Sequence, residues 1–398
     1  MIRKLTVLLL LGVSSLVFSA ELTLTVWSKR PAHVAVMETL IRGFNERHPE
    51  VTVQLEYLPY GDYNDLFSST TTRLPDIGWV SESQFPQLVE RGLAIPLMSA
   101  LQNDERYDLE DYTLASLEQF SHEGQLLAVP FSNSPFVMFY NQDHLNAALV
   151  QSLRDGQFES FQTMIEAVSA HTRKQTGVYA FEGRHGGSQQ RSRSFEWVNL
   201  LIQSDLGPDW QPEGCAFNDE AFKALLNWYR DSYTSFDVTV PVDQERQFFK
   251  GSVAVTYGQI SDVSQLQTVD FEWGLAPMPQ GAEMVGRAGL FVSQHSEHQA
   301  LAIEFVKYLT GRQGAMVMSR YFPPARASIL KSIEFLGSNP NLEPVDMSVV
   351  GQGILNGQSL VMGSHETRLQ SLVAKDYAQL WNPSTPLDAL LTQWCAAP

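Results

Sequence analysis

The stretch VPFSNSPFVMFYNQD, residues 129–143, decides how this chain is expected to fold. A polar triplet, Ser132–Ser134, stands between two prolines and is followed by the apolar run Phe136–Tyr140. Because proline fixes φ and has no N–H, the triplet is expected to lie outside a β-ladder. The apolar run predicts a strand that is covered on both faces. The stretch indicates either an ordinary loop before a core strand or a crossing between two globular units, with the triplet exposed where the chain passes.

The residues before this stretch alternate between strand and helix patterns. Leu22–Val26 and Val51–Tyr57 alternate apolar and polar residues, and Ile77–Val80 is a short apolar run. A helical pattern follows each of the three. This alternation is typical of an α/β layer with parallel strands, and it favours the crossing over the loop.

The length of the chain allows two such units. At 398 residues it can form two domains, each with its own core. The Pro/Gly-rich stretch Pro277–Gly289 is predicted to be a turn that returns the chain to the first unit. The expected N-terminal lobe is residues 21–129 and 277–325, and the expected C-terminal lobe is residues 130–276 and 326–398. A single sheet continuing across Phe131 would argue against this division.

Residues 1–20 are expected to be a cleaved signal peptide. Arg3 and Lys4 precede the apolar run Leu5–Val17, and two small residues, Ser19 and Ala20, follow. This order is typical of secretory signals, and the apolar run is too short for a retained membrane span. No cysteine lies near the expected cleavage site. The mature protein is therefore expected to be exported, soluble and without a lipid anchor.

Charge and cysteine content narrow the possible partners. The formal net charge of −17 argues against nucleic acid as a partner. The two cysteines, Cys215 and Cys395, are too few for a fold built on disulfides. In an oxidising compartment they could pair, and two free thiols are the alternative.

Motifs for catalysis or metal binding are missing from the sequence. It contains no phosphate-cradling P-loop, no metalloprotease helix motif and no nucleophile elbow. His295 and His298 stand near a predicted helix start without the spacing of a metal site. We therefore expect a binding protein rather than an enzyme, with no cofactor and no metal.

Aromatic and polar residues recur instead where the predicted strands end. Trp27–Ser28 follows the first strand, and Asp62–Tyr63 opens the second helix. Trp79 and Glu82 flank the end of the third strand. Ligands of open α/β sheets bind beyond the carboxyl ends of the strands. An aromatic face beside a carboxylate suits a polyhydroxylated ligand, because the ring covers C–H groups and the carboxylate accepts from hydroxyls.

Ten segments of the chain carry a family resemblance. They are TLTVWS (23–28), FNERHPE (44–50), VTVQLEY (51–57), GDYNDLF (61–67), LPDIGWVSES (74–83), ERGLAIPL (90–97), VPFSNSPFVMFYNQD (129–143), GSVAVTYG (251–258), FEWGLAPMPQG (271–281) and AIEFVKYLTG (302–311). The pattern resembles the family 1 extracellular solute-binding proteins of ABC importers across nearly all of residues 22–394. The resemblance implies two α/β lobes, each a mixed sheet flanked by helices, joined by hinge crossings with the ligand between them.

The pattern is nearest the glycerol-3-phosphate-binding branch of that family, and the match implies four ligand-binding residues. The branch's binding tyrosine matches Tyr63, and its glutamate matches Glu82. Its crossing serine matches Ser134, and a tyrosine before a hydrophobic–proline pair matches Tyr321.

The chain departs from this branch where phosphate would bind. The branch's phosphate-binding arginine has no counterpart in Gly351–Gly363, and a glycine pair of the branch is here Gly286–Arg287. Arg287, in the predicted return turn, could replace the lost arginine or lie on the surface. Tyr257 ends the predicted strand Val253–Tyr257. We add Tyr257 and Arg287 to the expected ligand-binding residues.

The sequence therefore predicts the periplasmic substrate-binding component of an ABC importer, which binds a sugar or polyol derivative by hinge closure. Its expected partners are the ligand and the inner-membrane permease subunits, and we expect a monomer. One alternative is a glycerol-3-phosphate or glycerophosphodiester binder, favoured if Arg287 or Arg184 faces the cleft. Another is a secreted glycoside hydrolase, which would need two carboxyl groups about 5.5–9.5 Å apart. Presenting the ligand to a sensor is a third possibility.

Overall fold

The computed structural model describes residues 20–69, 73–183, 217, 219–234, 238–241, 244, 246–280, 284–340, 342–359, 375–376, 379–380 and 382–396. Residues 1–19 of the expected signal peptide, Arg184 and Cys215 lie outside the described residues. Cys395 is disulfide-bonded. No helix among the described residues combines the length and the apolar character needed to cross a membrane.

The strands form a mixed sheet. They are β1 (Ala20–Val26), β2 (Val51–Tyr57), β3 (Ile77–Ser81), β4 (Ser121–His122), β5 (Gln125–Leu126), β6 (Val129–Asn141), β7 (Tyr179–Glu182), β8 (Val253–Gln259), β9 (Trp273–Ala276), β10 (Met284–Val292) and β11 (Gln358–Ser359). The main path runs β2-β1-β3-β10-β6-β8-β7, with β9 paired to β6, β11 paired to β10, and β4–β5 forming a separate hairpin. Strand β1 is parallel to both β2 and β3, as the strand–helix alternation predicts.

Helices cover the sheet and connect its strands. They are α1 (Pro31–Arg47), α2 (Tyr60–Ser68), α3 (Phe85–Glu90), α4 (Met98–Gln102), α5 (Leu114–Gln119), α6 (Ala147–Arg154), α7 (Phe161–Thr172), α8 (Glu220–Thr234), α9 (Val263–Leu266), α10 (Gln299–Thr310), α11 (Arg312–Met318), α12 (Ala327–Leu330), α13 (Ile333–Leu336), α14 (Pro344–Asn356) and α15 (Leu387–Ala396). Helix α1 begins at Pro31, a position where the missing N–H costs nothing. Its buried residues Met37, Ile41 and Phe44 recur at helical spacing.

Strand β6 carries the chain from one half of the sheet to the other. Residues 129–135 pair antiparallel with β10, and residues 136–141 pair with β8 and β9. All 13 residues of the strand are buried. The prediction that Ser132–Ser134 would lie outside a ladder, exposed, is therefore wrong. Pro135 stands where β6 changes partner, and Pro130 stands beside the bulge that Phe131 forms in β6, so a missing N–H is tolerated at both positions.

Strand β10 is the second connection between the two halves. Its first six residues, up to Gly289, belong to the stretch that was predicted to be a turn. Arg287 therefore lies in a strand and not in a turn. The turn prediction failed because the glycines here permit close approaches. A Cβ added to Gly286 would lie 2.6 Å from Nε2 of Gln259, and one added to Gly289 would lie 2.9 Å from the Cβ of a neighbouring alanine.

The buried apolar side chains form separate clusters, although the strands form one continuous path. One cluster contains buried side chains from Leu22 to Phe131 and from Leu290 to Ala325. Two other clusters begin at Phe136 and Val137. We call the first cluster with its elements the N-terminal lobe, and the other two the C-terminal lobe. Because the sheet continues across Phe131 while the cores separate just after it, the residue boundaries of the lobes stay a prediction.

Candidate functional site

Glu82 lies directly after β3, beside the second connection. The backbone N–H of Arg287 donates to Oε2 of Glu82 at 2.8 Å, and the Glu82 N–H donates to the carbonyl of Arg287 at 3.3 Å. The backbone bond continues the contact between β3 and β10 beyond Ser81, and the side-chain bond holds the carboxyl group where the two lobes meet. The second oxygen, Oε1, points towards Gly286.

The carboxyl group of Glu82 has an unusual protonation equilibrium. Burial raises its pKa to about 7, because removing the carboxylate from water outweighs the opposing effects of the backbone N–H groups and of the Arg287 charge. The residue keeps part of its surface exposed. Near neutral pH the group is therefore present in both forms, and the protonated form can donate to a ligand hydroxyl as well as accept from one.

Ser134, Gln259 and Glu82 converge around Gly286. Ser134 is the partner of Gly286 in the β6–β10 ladder, and Nε2 of Gln259 donates to the Ser134 carbonyl at 3.4 Å. A Cβ on Gly286 would lie 3.7 Å from Oε1 of Glu82. The hydroxyl of Ser134 is buried and has no hydrogen-bond partner among the described residues. We call these four residues the junction site, since they combine groups from both lobes and from both connecting strands.

Aromatic and hydroxyl groups of the N-terminal lobe border the junction site. Trp27, at the end of β1, contacts Tyr60 edge-on with 5.5 Å between ring centroids. The Tyr60 hydroxyl lies 3.4 Å from the hydroxyls of both Ser81 and Ser83, the two neighbours of Glu82. Trp27 and Tyr60 are both half-buried. We call Trp27, Tyr60, Ser81 and Ser83 the rim.

Tyr63 lies beneath the rim. Its side chain is 0% exposed, and its hydroxyl donates towards two backbone carbonyls, that of Trp79 at 2.6 Å and that of Thr25 at 3.2 Å. Burial raises the pKa of Tyr63 well above its usual value, so the hydroxyl stays neutral. The structure thus joins Tyr63 to the ends of β1 and β3, and its predicted contact with ligand stays a prediction.

Tyr257 and Tyr321 lie on opposite sides of the junction. Tyr257 is 2% exposed and packs against Phe136 and Phe181 in the core of the C-terminal lobe. Tyr321 belongs to the N-terminal core, and its hydroxyl accepts from Nε2 of Gln267 in the other lobe at 3.3 Å. The structure does not bring these two tyrosines together.

Arg287 is 4% exposed within β10. Burial lowers the pKa of its guanidinium, and the nearby negative charge of Glu82 partly offsets this. A cation that is buried beside a carboxylate is not presented to solvent as a separate anion-binding group. This arrangement favours Arg287 as the counter-charge of Glu82.

The site prediction from the sequence did not include two residues of this region, Tyr60 and Gln259. The sequence predicts Tyr63 as a ligand-binding residue and not Tyr60, one helical turn earlier, although both stand at the start of α2. Gln259 was overlooked, although a polar residue at the carboxyl end of the buried strand β8 was an available signal.

The junction site and the rim suit a hydroxylated ligand. They combine a carboxyl group that can accept or donate, a buried serine hydroxyl, an amide and aromatic ring faces. Among the described residues no group of three His, Cys, Asp or Glu side chains could hold a metal ion. Two surface depressions of about 470 and 520 Å³ lie elsewhere on the N-terminal lobe, one lined by α1 and β2 and the other by residues near Lys307.

Solved structures define the class of protein that has this fold. The chain aligns with an ABC substrate-binding protein of Listeria monocytogenes, solved with cycloalternan, at a TM-score of 0.78 and 15% identity over 95% of this chain and 97% of that one. The maltose-bound MalE3 of T. maritima aligns with a TM-score of 0.76 and 15% identity, over 95% of this chain and 98% of that one. UgpB of Mycobacterium tuberculosis, solved with glycerophosphocholine, aligns with a TM-score of 0.70 and 18% identity, over 93% of this chain and 98% of that one. The fold is therefore the two-lobe fold of these binding proteins, as predicted.

The sequence itself also matches a family model. The model of the bacterial extracellular solute-binding proteins matches residues 39–344, which is more than half of the chain. The protein belongs to this family, and the resemblance seen in the sequence is confirmed. No curated protein matches the chain.

Proposed function

We propose that this protein is the substrate-binding component of an ABC importer and that it binds a sugar or polyol at the junction site. The observation that carries the proposal is the convergence of Glu82, Ser134 and Gln259 around Gly286, where the two lobes meet. The family membership supports the transport role. Related folds were solved with maltose and with D-mannitol, which have the hydroxyl-rich chemistry that these side chains suit.

The proposed mechanism is hinge closure without chemistry. The ligand first contacts the rim and Glu82 of the N-terminal lobe, and Gln259 of the C-terminal lobe reaches it when the lobes approach. Contacts that form only in the closed arrangement shift the equilibrium towards that arrangement. The strands β6 and β10 are the connections about which the lobes would move.

Within the expected site we assign different roles to the residues. Glu82 and Ser134 contact the ligand, with Tyr60 and Trp27 as its aromatic wall. Tyr63 in the core of the N-terminal lobe and Tyr257 in the core of the C-terminal lobe support the residues that contact the ligand. Arg287 balances the charge of Glu82, and Tyr321 contributes to the contact between lobes.

The remaining predictions follow from this role. The ligand-loaded protein would be delivered outside the inner membrane to permease subunits, as a monomer and with no cofactor. The family name supports an extracytoplasmic location. The family and the solved relatives are binding proteins, which supports a binding role over a secreted hydrolase.

A phosphate ester is the alternative ligand, because one related fold was solved with glycerophosphocholine. The burial of Arg287 disfavours it, since a ligand phosphate would meet the carboxyl group of Glu82 while the guanidinium is not presented to solvent as an anion-binding group.

The test is native mass spectrometry of the purified protein, followed by thermal-shift measurements with maltose, mannitol, glycerol-3-phosphate and glycerophosphocholine. We expect a bound mass and a stabilised melting transition for an uncharged sugar or polyol, because a ligand that binds only the folded state raises stability. Stabilisation by the phosphate compounds alone would overturn the ligand class. Stabilisation by none of a wide sugar and polyol panel, with no bound mass, would overturn the proposal.

A further inference from the structure

The two lobes are also joined by a polar contact away from the connecting strands. Arg30 lies in the loop between β1 and α1 of the N-terminal lobe, and Ser261 and Asp262 follow β8 in the C-terminal lobe. The guanidinium of Arg30 donates to the Ser261 carbonyl at 2.5 Å and to Oδ1 of Asp262 at 2.9 Å. A single side chain thus makes a two-pronged, charge-assisted contact across the cleft.

The surroundings of this pair favour its formation. The side chain of Asp262 is 6% exposed and that of Arg30 is 35% exposed, so the ion pair is only partly screened by solvent. His33, one helical turn from Arg30, is buried, and burial together with the Arg30 charge lowers its pKa to about 3. His33 is therefore neutral at physiological pH and does not compete with Arg30 for the carboxylate.

Asp262 connects this contact to the junction site. Its Oδ2 accepts from the N–H of Gln259 at 3.2 Å, and the Gln259 side chain accepts from the N–H of Asp262 in return. The same Gln259 side chain donates to the carbonyl of Ser134. The chain of contacts Arg30–Asp262–Gln259–Ser134 therefore runs from the N-terminal lobe through the C-terminal lobe to the crossing strand.

We propose that Arg30 and Asp262 form a latch that holds the two lobes together and sets how often the cleft is closed before any ligand arrives. The bond between Tyr321, after α11, and Gln267, after α9, is a second polar contact between the lobes and adds to this one. The latch gives the closed arrangement favourable interactions that an open arrangement lacks, so it shifts the equilibrium by their net free energy. The inference rests on the proposed function only in assuming a cleft that opens and closes.

The test is single-molecule FRET on the ligand-free protein, with one dye on each lobe at exposed positions such as Glu105→Cys and Glu159→Cys. We expect a closed population in the wild type and a closed-to-open ratio that is about threefold to tenfold lower in Arg30→Gln, given a charged bond that is partly solvent-screened. Arg30→Lys should fall between the two, because it keeps the charge but not the two-pronged geometry. Arg42→Gln, an exposed arginine of α1, is the control with the same change of charge.

Equal closed fractions in wild type, Arg30→Gln and Arg42→Gln would overturn the latch. A wild type that shows only the open distance without ligand would also overturn it. Because no ligand is present, failure of the latch and failure of the proposed ligand class are read from separate experiments. Melting curves of each variant show whether a changed ratio comes from local unfolding.

Discussion

Two buried polar clusters of the molecule differ in how fully their hydrogen-bonding groups are satisfied. Around Arg326, which is 1% exposed, the guanidinium donates to the carbonyls of Tyr107, Asp108 and Thr310. It also lies over two aromatic rings, 4.9 Å from one ring centroid and 4.4 Å from the other. At the junction site, the buried Ser134 hydroxyl finds no partner in the part of the chain that the structure describes, and the carboxyl group of Glu82 is destabilised in its charged form.

The comparison separates a structural role from a binding role. A buried polar cluster whose donors are all used stabilises the fold, and a ligand would have nothing to add to it. A buried polar group that lacks a partner costs free energy in the empty protein and can recover it when a ligand supplies the partner. Disturbing the first cluster should therefore change stability, and disturbing the second should change affinity.

The largest expected effect is on stability, from Arg326→Met. Removing the guanidinium takes a donor from three backbone carbonyls and leaves the carboxylate of Asp111 without its counter-charge, so we expect a loss of about 3–5 kcal/mol in the free energy of unfolding. Urea denaturation measures this loss, with Arg106→Met, a change at a side chain that is 95% exposed, as the control. Ligand affinity of the folded variant should stay at the wild-type value. A loss of stability no greater than that of the control would contradict the claim that the Arg326 cluster stabilises the fold.

A smaller effect is expected in the pH dependence of stability, from Glu82→Gln. The folded pKa of about 7 lies above the unfolded value of 4.5, so between these two pH values the folded state holds a proton that the unfolded state has lost. The contribution of Glu82 to stability is fully present below pH 4.5 and is lost as pH rises through about 7. The wild type should therefore lose roughly 2–3 kcal/mol more than Glu82→Gln across this window.

Urea denaturation of both proteins at pH 4.5, 6 and 8 measures this difference. Glu90→Gln, at an exposed position of α3, is the matched control and should follow the wild-type profile. Parallel pH profiles for wild type and Glu82→Gln would show that the carboxyl group titrates as an ordinary surface acid.

The smallest expected effects come from two serines of the same region. The hydroxyl of Ser116 accepts a hydrogen bond from the Asn133 amide at 2.7 Å, so Ser116→Ala should cost about 1–2 kcal/mol of stability and leave affinity unchanged. Ser134→Ala removes an unpartnered hydroxyl, so stability should not fall, while ligand affinity should drop roughly threefold to tenfold. Melting curves and titration calorimetry together measure both quantities. The same response from both variants would contradict the distinction between a hydroxyl that has a hydrogen-bond partner and one that lacks it.

The parts of the fold that depend on local pattern could be predicted from the sequence. Strand β2 has the predicted bounds, and α1 follows β1 where a helical pattern was predicted, because apolar alternation and helical spacing are local signals. The prolines and glycines of β6 and β10 misled, because their roles depend on strands that are distant in sequence. Ser132–Ser134 and Arg287 were therefore assigned to loops, although the β6–β10 ladder contains them.

The candidate site could be predicted only in part for a similar reason. Glu82 follows a buried strand, which is a local signal, and the structure places it at the junction between the lobes. The choice between Tyr60 and Tyr63 depends on which turn of α2 faces the strand ends. That orientation is set by packing against Trp27 and Trp79, which the sequence does not reveal.

Titration calorimetry of Glu82→Ala with the ligand identified by native mass spectrometry tests the central claim most directly. If Glu82 binds ligand hydroxyls, each charge-assisted bond contributes about 1.5–3 kcal/mol, and affinity should fall roughly tenfold to a hundredfold. The melting temperature of the empty protein should fall only moderately, because Glu82→Ala removes the bond from the Arg287 N–H and the charge near the buried guanidinium but also removes a poorly solvated carboxylate. Unchanged affinity in Glu82→Ala would contradict the account and move the ligand away from the junction site.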